Sequence, residues 1–567
     1  MKIEWDVPVR MDDGLELRAD VFRPDGAGKY PALLSYGPYG KGLAFQEGYK
    51  TAWDIMARDY PDAVANSSNR YQNWEVIDPE KWVPEGYVCV RVDSRGAGRS
   101  PGYLCHNNAR ETRDLYECIE WAAAQPWCSG RVGMNGISYY ASNQWRAAAA
   151  QPPHLAAICA WEGWNDPYRE SARHGGIICS FRKNWQDMQV KTVQHGVGER
   201  GKKNPNTGEL VCGPETLSDE ELASNREDMW QGFLSRELMD DYYHERTADL
   251  SKVTVPLLSA ANWGGQGLHT RGNFEGFVRA ASKKKWLEVH GGSHWAPFYT
   301  DYGRQLQLDF FDHFLKGKAN GWDEQSRVLL NVRSPGERFV LRSENEWPLA
   351  RTKWTPYYLD PKGMQLTRDA PSDGGTLTYD PMGDGLTFST PPLRGEVEIT
   401  GPSALKLRIS CATTDADLFI VLRVFDPAGK EVLFQGALDP KTPVGQGWLR
   451  ASHRKVDKQR SLPYRPWHTH DEKQPLTPGQ VYELDVEIWP TCIVIPAGYR
   501  LALSIRGRDY EHDDAAATLS NMKNPMKGCG PFTHDDETDR PPAIFGGKVT
   551  VHFDEQPYVL LPVIPMN

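Results

Sequence analysis

At 567 residues the chain exceeds what one hydrophobic core organises, so two or three domains are expected. Its 40% hydrophobic content, 25% charged content and 20 tryptophans describe a globular protein and exclude a disordered one. A formal net charge of -10 leaves no basic footprint for nucleic acid, and no run reaches the ~20 apolar residues that cross a bilayer.

Residues 1–6 lack the apolar core of a signal peptide. The 10 cysteines are scattered without a Cys-x-x-Cys pair, and several sit in apolar runs. That pattern fits buried thiols in a reducing compartment better than disulfides or a zinc site. A cytoplasmic protein is expected, with a small-molecule partner, neither nucleic acid nor membrane, no cofactor or metal, and room for a homo-oligomer.

In chain order, residues 3–10 and 16–23 read as an opening hairpin across Met11-Asp12-Asp13-Gly14. Short apolar runs follow at 30–36, 87–93, 131–135, 155–161, 255–262 and 285–289, as buried parallel strands require. Helical patterns alternate with them at 109–125, 139–150, 267–281 and 299–316. That alternation predicts a mostly parallel sheet with helices on both faces. Residues 163–250 break the rhythm with aromatic helical patches (Phe181, Trp185, Met188, Trp230, Phe233), and an insertion there, above the C-terminal ends of the strands, reads as a cap. After about Trp347 helical patterns give way to alternating runs at 397–410, 416–425, 432–435, 481–489, 500–505 and 548–553, which predict an all-β sandwich of jelly-roll type. The expected organisation is an α/β-hydrolase sheet over 1–162 and 251–330, a helical cap over 163–250, and a galactose-binding-like jelly roll over 331–567.

The strand at 131–135 runs into Gly136-Ile137-Ser138-Tyr139 and then directly into a helix. A serine on so sharp a turn is the geometry of a nucleophile elbow, with N–H groups at the helix start able to hold an oxyanion. Position 140 is Tyr where the usual pattern has Gly. An elbow serine needs a base, and His294, just past the last apolar strand, stands where a hydrolase sheet delivers one. His290, on the strand end, reads as structural, and His269 falls in a helical stretch. Tyr39, in the loop after strand 30–36, and the Tyr139 N–H are the oxyanion-hole candidates. Asp93-Ser94-Arg95-Gly96-Ala97-Gly98-Arg99-Ser100 reads as scaffold, since the Gly-Lys-Ser/Thr ending of a phosphate loop is missing. His468, His470 and Asp471 read as a loop rather than a metal site.

The set of Tyr39 in a Gly-Pro-Tyr loop, Asp93-x-Arg95-Gly96-x-Gly98-x-Ser100, Gly136-x-Ser138-Tyr139 and Gly292-Ser293-His294, followed by a β domain, resembles the cocaine esterase/Xaa-Pro dipeptidyl-peptidase (peptidase S15) hydrolases. The α-amino acid ester hydrolases and glutaryl-cephalosporin acylases are relatives of that family. The resemblance extends into the β domain through Gly447-Trp448-Leu449-Arg450 and Arg465-Pro466-Trp467-His468. It implies a serine hydrolase working through an acyl-enzyme, with Ser138 the nucleophile, His294 the base, and Tyr39 with the Tyr139 N–H the oxyanion hole.

One departure stands out. Where the family carries its acid, in a Gly-Trp-x-Asp pattern, this chain reads Asn262-Trp263-Gly264-Gly265. Glu162, one residue past the strand after the nucleophile's, is the first substitute; Asp166 and Glu275 follow, and a site without an acid is the remaining option. Trp164 and Asp166 are expected in the substrate pocket. An acyl esterase is the leading expectation, with Xaa-Pro dipeptidyl-peptidase, β-lactam acylase, or a non-catalytic binding protein on a degenerate scaffold as alternatives.

Overall fold

The computed structural model describes residues 1–565 apart from Asp373, Thr518, Asn521, Lys523 and Pro525. Its first sheet is built from ten strands: β1 (Lys2–Arg10), β2 (Glu16–Arg23), β3 (Tyr30–Gly37), β4 (Val88–Asp93), β5 (Cys128–Ile137), β6 (Leu155–Trp161), β7 (Leu257–Asn262), β8 (Lys285–His290), β9 (Val328–Ser334) and β10 (Arg338–Glu344). They lie in the order β1-β2-β4-β3-β5-β6-β7-β8-β9-β10. From β4 to β9 every junction is parallel; the hairpin at one edge and β10 at the other are antiparallel. Every residue of β4 and β7 is buried, because helices cover both faces.

Alternation along β3 divides two cores. Ala32 and Leu34 face α1 (Ala109–Ala124) and α2 (Tyr139–Ala149), packing with Leu115, Cys118 and Trp145. Leu33 faces the opposite layer and α4 (Asp301–Lys316), with Phe310, Phe311 and Leu315. The fourth helix against the sheet, α3 (Thr270–Arg279), sets Phe274 and Phe277 against Leu287 and Val289 of β8.

The chain runs β3 to β4 toward one edge and then places β5 on the other side of β3. Such a switch point opens a crevice beyond the C-terminal strand ends, where ligands bind in open α/β sheets. Ser138 follows β5 at that crevice.

The expected strands and helices are present with ends shifted by a few residues, except the strand expected at 432–435, where the chain makes only isolated bridges at Glu431 and Phe434. The boundary expected at 330/331 needs correction, because it cuts β9, which pairs with β8 and carries β10 with it. Asn331 Nδ2 donates to the β8 carbonyl of Val289 at 3.0 Å, so the sheet continues to Glu344. The remaining strands form an all-β unit whose largest members, Val397–Cys411 and Tyr482–Ile495, pair antiparallel along most of their length. Its sheet closes because Tyr558–Ile564 pairs with both Lys353–Asp360 and Val397–Cys411.

Residues 163–250, between β6 and β7, carry only short helical segments and a two-residue hairpin, Arg173–His174 with Ile177–Ile178. No helix among the described residues is long and apolar enough to cross a membrane. All ten cysteines are free and nine are buried.

Candidate active site

Ser138 sits at φ 60, ψ -111, a conformation that costs a non-glycine residue free energy and is held here by its surroundings. Its backbone N–H donates to the carbonyls of Trp161 and Glu162, both at 3.1 Å. Gly136 has φ 139, and a Cβ there would lie 2.5 Å from that of Tyr140. The departure from the usual elbow at position 140 has a matching adjustment: a Cβ on Gly37 would meet the Tyr140 ring at 2.6 Å. Gly37, at the end of β3, is the space into which Tyr140 fits.

Ser138 Oγ lies 2.9 Å from His269 Nε2. His269 is not inside the helix; it occupies the position just before α3. On its other side the Trp164 N–H donates to His269 Nδ1 at 3.2 Å. A nitrogen that accepts from an amide carries no proton, so in the neutral ring Nε2 holds the N–H and donates to the serine oxygen. Burial, followed by the nearby charges of His294 and Arg182, pushes His269 well below the usual imidazole range and keeps it neutral.

His294 binds two carboxylates: its Nδ1 lies 2.7 Å from Glu162 Oε2 and its Nε2 2.9 Å from Glu75 Oε1. Burial alone would lower the imidazole, but Glu162 and Glu75 outweigh it and raise His294 to about 10. For Glu162, burial is outweighed by His294 and His290, and the carboxyl is held below its ordinary value. Glu75 goes the other way, pushed up by burial to about 7 despite its bond to His294. Glu162 is further clamped by His290 Nε2 at 3.0 Å and by Asn262 Nδ2 at 3.2 Å. His290 in turn bonds Glu288 at 2.7 Å and supports the carboxylate from behind.

Ser138, His269, His294 and Glu75 line one cleft, together with Tyr39, Tyr139, Trp164 and Trp185. Trp185 Nε1 donates to the Tyr39 hydroxyl oxygen at 3.0 Å, which leaves the tyrosine's own O–H as a donor. Burial, then the charge of Glu75, raises Tyr39 well above the usual phenol range, so that proton stays. Arg182 also lines the cleft. It is 4% exposed, donates from Nε to Ser171 Oγ at 2.6 Å, and lies over the Trp164 and Trp185 rings. Among the described residues no carboxylate pairs with it.

The structure thus brings Ser138, His294, Glu162, Tyr39, Tyr139 and Trp164 together. It does not bring Asp166 to the cleft, a correction to the expected pocket: that carboxylate is buried against Arg169 at 2.6 Å. Glu275 is likewise committed elsewhere, to Arg465 at 2.6 Å. Glu75 and Arg182 escaped the sequence reading, and His269, weighed there against His294 as the base, was set inside a helix rather than at its start. The glycines at 264, 265 and 267 were the available signal that the helix starts after His269 rather than before it. The Asp93 loop is scaffold in detail: its carboxylate accepts from the Lys41 and Arg99 backbone amides at 2.6 and 2.9 Å.

The family model for X-Pro dipeptidyl-peptidase (S15 family) matches residues 13–296. The chain belongs to the S15 family. The model of the C-terminal non-catalytic domain of X-Pro dipeptidyl-peptidase matches residues 320–522. This S15 protein is 26% identical to a putative serine esterase of Mycobacterium bovis, over 89% of the chain and 90% of the relative. It is 24% identical to the cocaine esterase of a Rhodococcus species, over 90% and 91%. A CocE/NonD family hydrolase from Staphylococcus aureus superposes with a TM-score of 0.84 at 31% identity, covering 99% of this chain and 94% of that one. The S15 chain is a serine hydrolase with an α/β-hydrolase domain and a C-terminal β domain, acting as an esterase or peptidase.

Proposed function

We propose that the protein is an acyl esterase in which Ser138 forms the acyl-enzyme. The observation that carries this is the strained serine at the switch point, in contact with His269 and sharing its cleft with His294, with the first amides of α2 behind it. In this reading Glu162 fixes the Nδ1–H tautomer of His294. His294 first passes its Nε2 proton to Glu75, whose carboxyl is raised to about 7, and the freed Nε2 then turns to Ser138 Oγ and takes the serine proton. His294 then returns the proton to the leaving alcohol, and water repeats the cycle on the acyl-enzyme. His269, whose Nε2–H already points at the serine oxygen, orients the nucleophile. Tyr39 O–H and the Tyr139 N–H stabilise the oxyanion.

A second reading makes His269 the base, favoured by its 2.9 Å contact with Ser138. It requires the opposite tautomer, which would set an N–H of the ring against the Trp164 N–H.

Within the family's range, Arg182 favours neutral or anionic acyl groups over cationic ones. A substrate α-ammonium in this cleft meets a buried guanidinium, whereas a carboxylate pairs with it. Residues 163–250, which supply Trp164, Arg182 and Trp185, act as the cap over this site. The closed β unit is read as a jelly roll that shields it.

Labelling with a fluorophosphonate tests the reading directly. Stoichiometric modification of Ser138, with loss of both labelling and p-nitrophenyl butyrate hydrolysis in Ser138→Ala, is expected. Labelling at another residue, or none, overturns it.

A further inference from the structure

Outside the catalytic cleft, at the seam between residues 163–250 and the β domain, His174, Cys179 and His534 converge. Their ligand atoms lie within 4.8 Å of one another and all three residues are buried. His174 ends the first strand of the small hairpin, Cys179 follows the second strand, and His534 comes from the β domain.

The hydrogen-bond partners dictate which way each ring points its lone pair. His174 Nε2 faces the Glu170 carbonyl at 3.3 Å, which only accepts, so this nitrogen carries the proton. His534 Nδ1 faces the Asp509 carboxylate at 2.8 Å and carries the proton there. The remaining two nitrogens, His174 Nδ1 and His534 Nε2, are left as lone pairs 2.7 Å apart. Two lone pairs at that distance repel unless something positive lies between them. Cys179 supplies a soft third donor.

An imidazole whose outer nitrogen donates to a carboxylate or carbonyl is the usual support of a metal-ligating histidine. A borderline-soft cation suits an N₂S donor set, zinc first among them. We propose that His174 Nδ1, His534 Nε2 and Cys179 Sγ bind one Zn²⁺. Zinc–nitrogen bonds of about 2.0 Å and a zinc–sulfur bond of about 2.3 Å require the two rings to part by roughly half an ångström. The ion is structural in this assignment: it ties the β domain to the segment that continues into Phe181, Arg182 and Trp185 of the cleft wall.

The test uses the full-length protein, expressed with zinc in the medium and purified under reducing conditions, with metal content measured by plasma mass spectrometry. About one zinc per chain is expected, falling at least tenfold in Cys179→Ser and in His534→Gln. Cobalt(II) exchanged into the wild-type protein should show a thiolate-to-metal charge-transfer band, which keeps the test valid where a variant fails to fold. Less than a tenth of an equivalent of zinc, both as isolated and after incubation with Zn²⁺, overturns the proposal and leaves a shared proton between the two histidines. Bound cobalt without the thiolate band overturns the Cys179 assignment.

Discussion

The imidazole of His294 lies parallel to that of His269, with ring centroids 5.3 Å apart and planes 9° apart. The two rings have opposite charge preferences: burial leads in lowering His269, and two carboxylates outweigh it at His294. His294 lies between two carboxylates and holds a second proton, and that charge helps keep its stacked neighbour neutral. One histidine is therefore equipped to move protons and the other to hold a hydrogen bond in place.

Exchanging each in turn separates the roles. His294→Gln, or Glu162→Gln, should lower kcat on a neutral acyl ester by about 10³–10⁴, the cost of losing a base or its tautomer control. His269→Gln keeps an N–H donor and should cost about tenfold or less, while His269→Ala costs more. A loss in His269→Gln matching that in His294→Gln would make His269 the base. Unimpaired hydrolysis by Glu162→Gln would remove that carboxylate from the triad.

Tyr39→Phe deletes a donor whose work is done in the transition state. A fall in kcat of about 10–10³ with little change in KM is expected from steady-state kinetics. An unchanged kcat returns Tyr39 to packing against Trp185.

Arg182→Met tests acyl-group charge with two matched substrates, the p-nitrophenyl monoester of glutarate and p-nitrophenyl butyrate. The wild type should prefer the glutarate ester, and the ratio of kcat/KM values should drop about tenfold or more in the variant. A ratio that does not move rules out a carboxylate at Arg182.

Gly37→Ala places a methyl group against the Tyr140 ring and should destabilise the fold by about 1–3 kcal/mol through overpacking. In a Tyr140→Gly background the clash is gone, so the same Gly37→Ala change should cost less than in the wild type, read as a double-mutant cycle in urea unfolding. Additive losses would show that the two positions do not share the space.

Stability should depend on pH through His294. Its folded value of about 10 lies above the ordinary 6.5, so the folded state binds the extra proton. That contribution is complete below pH 6.5 and is lost as pH rises through about 10. The urea midpoint of the wild type should therefore fall across this window, and the fall should be shallower in His294→Gln. A wild-type midpoint that is flat or rising there contradicts the assignment.

Much of this architecture is written locally in the chain. Apolar runs of five to eight residues separated by helical periodicity specify the parallel sheet, since such strands are soluble only when covered on both faces. The turn at Ser138 announces itself through Gly136 and the helix that follows at once. Glu162 is visible as a carboxylate ending the strand beside the nucleophile's. What the sequence could not show is which side chains face one another. β9 looked like part of the β domain because its place is set by pairing with β8, across a helix and a long connection. Asp166 is as close in sequence to the cleft as Trp164, yet Arg169, three residues on, takes its charge. His269, Glu75 and Arg182 come from a helix start, a loop and the insertion, and only the folded chain gathers them around Ser138. Burial then decides what each can do: it raises Glu75, neutralises His269 and pulls Arg182, set over two indoles without a carboxylate partner, below the usual guanidinium range. Those are properties of the surrounding dielectric and neighbours, which exist only once the chain is packed.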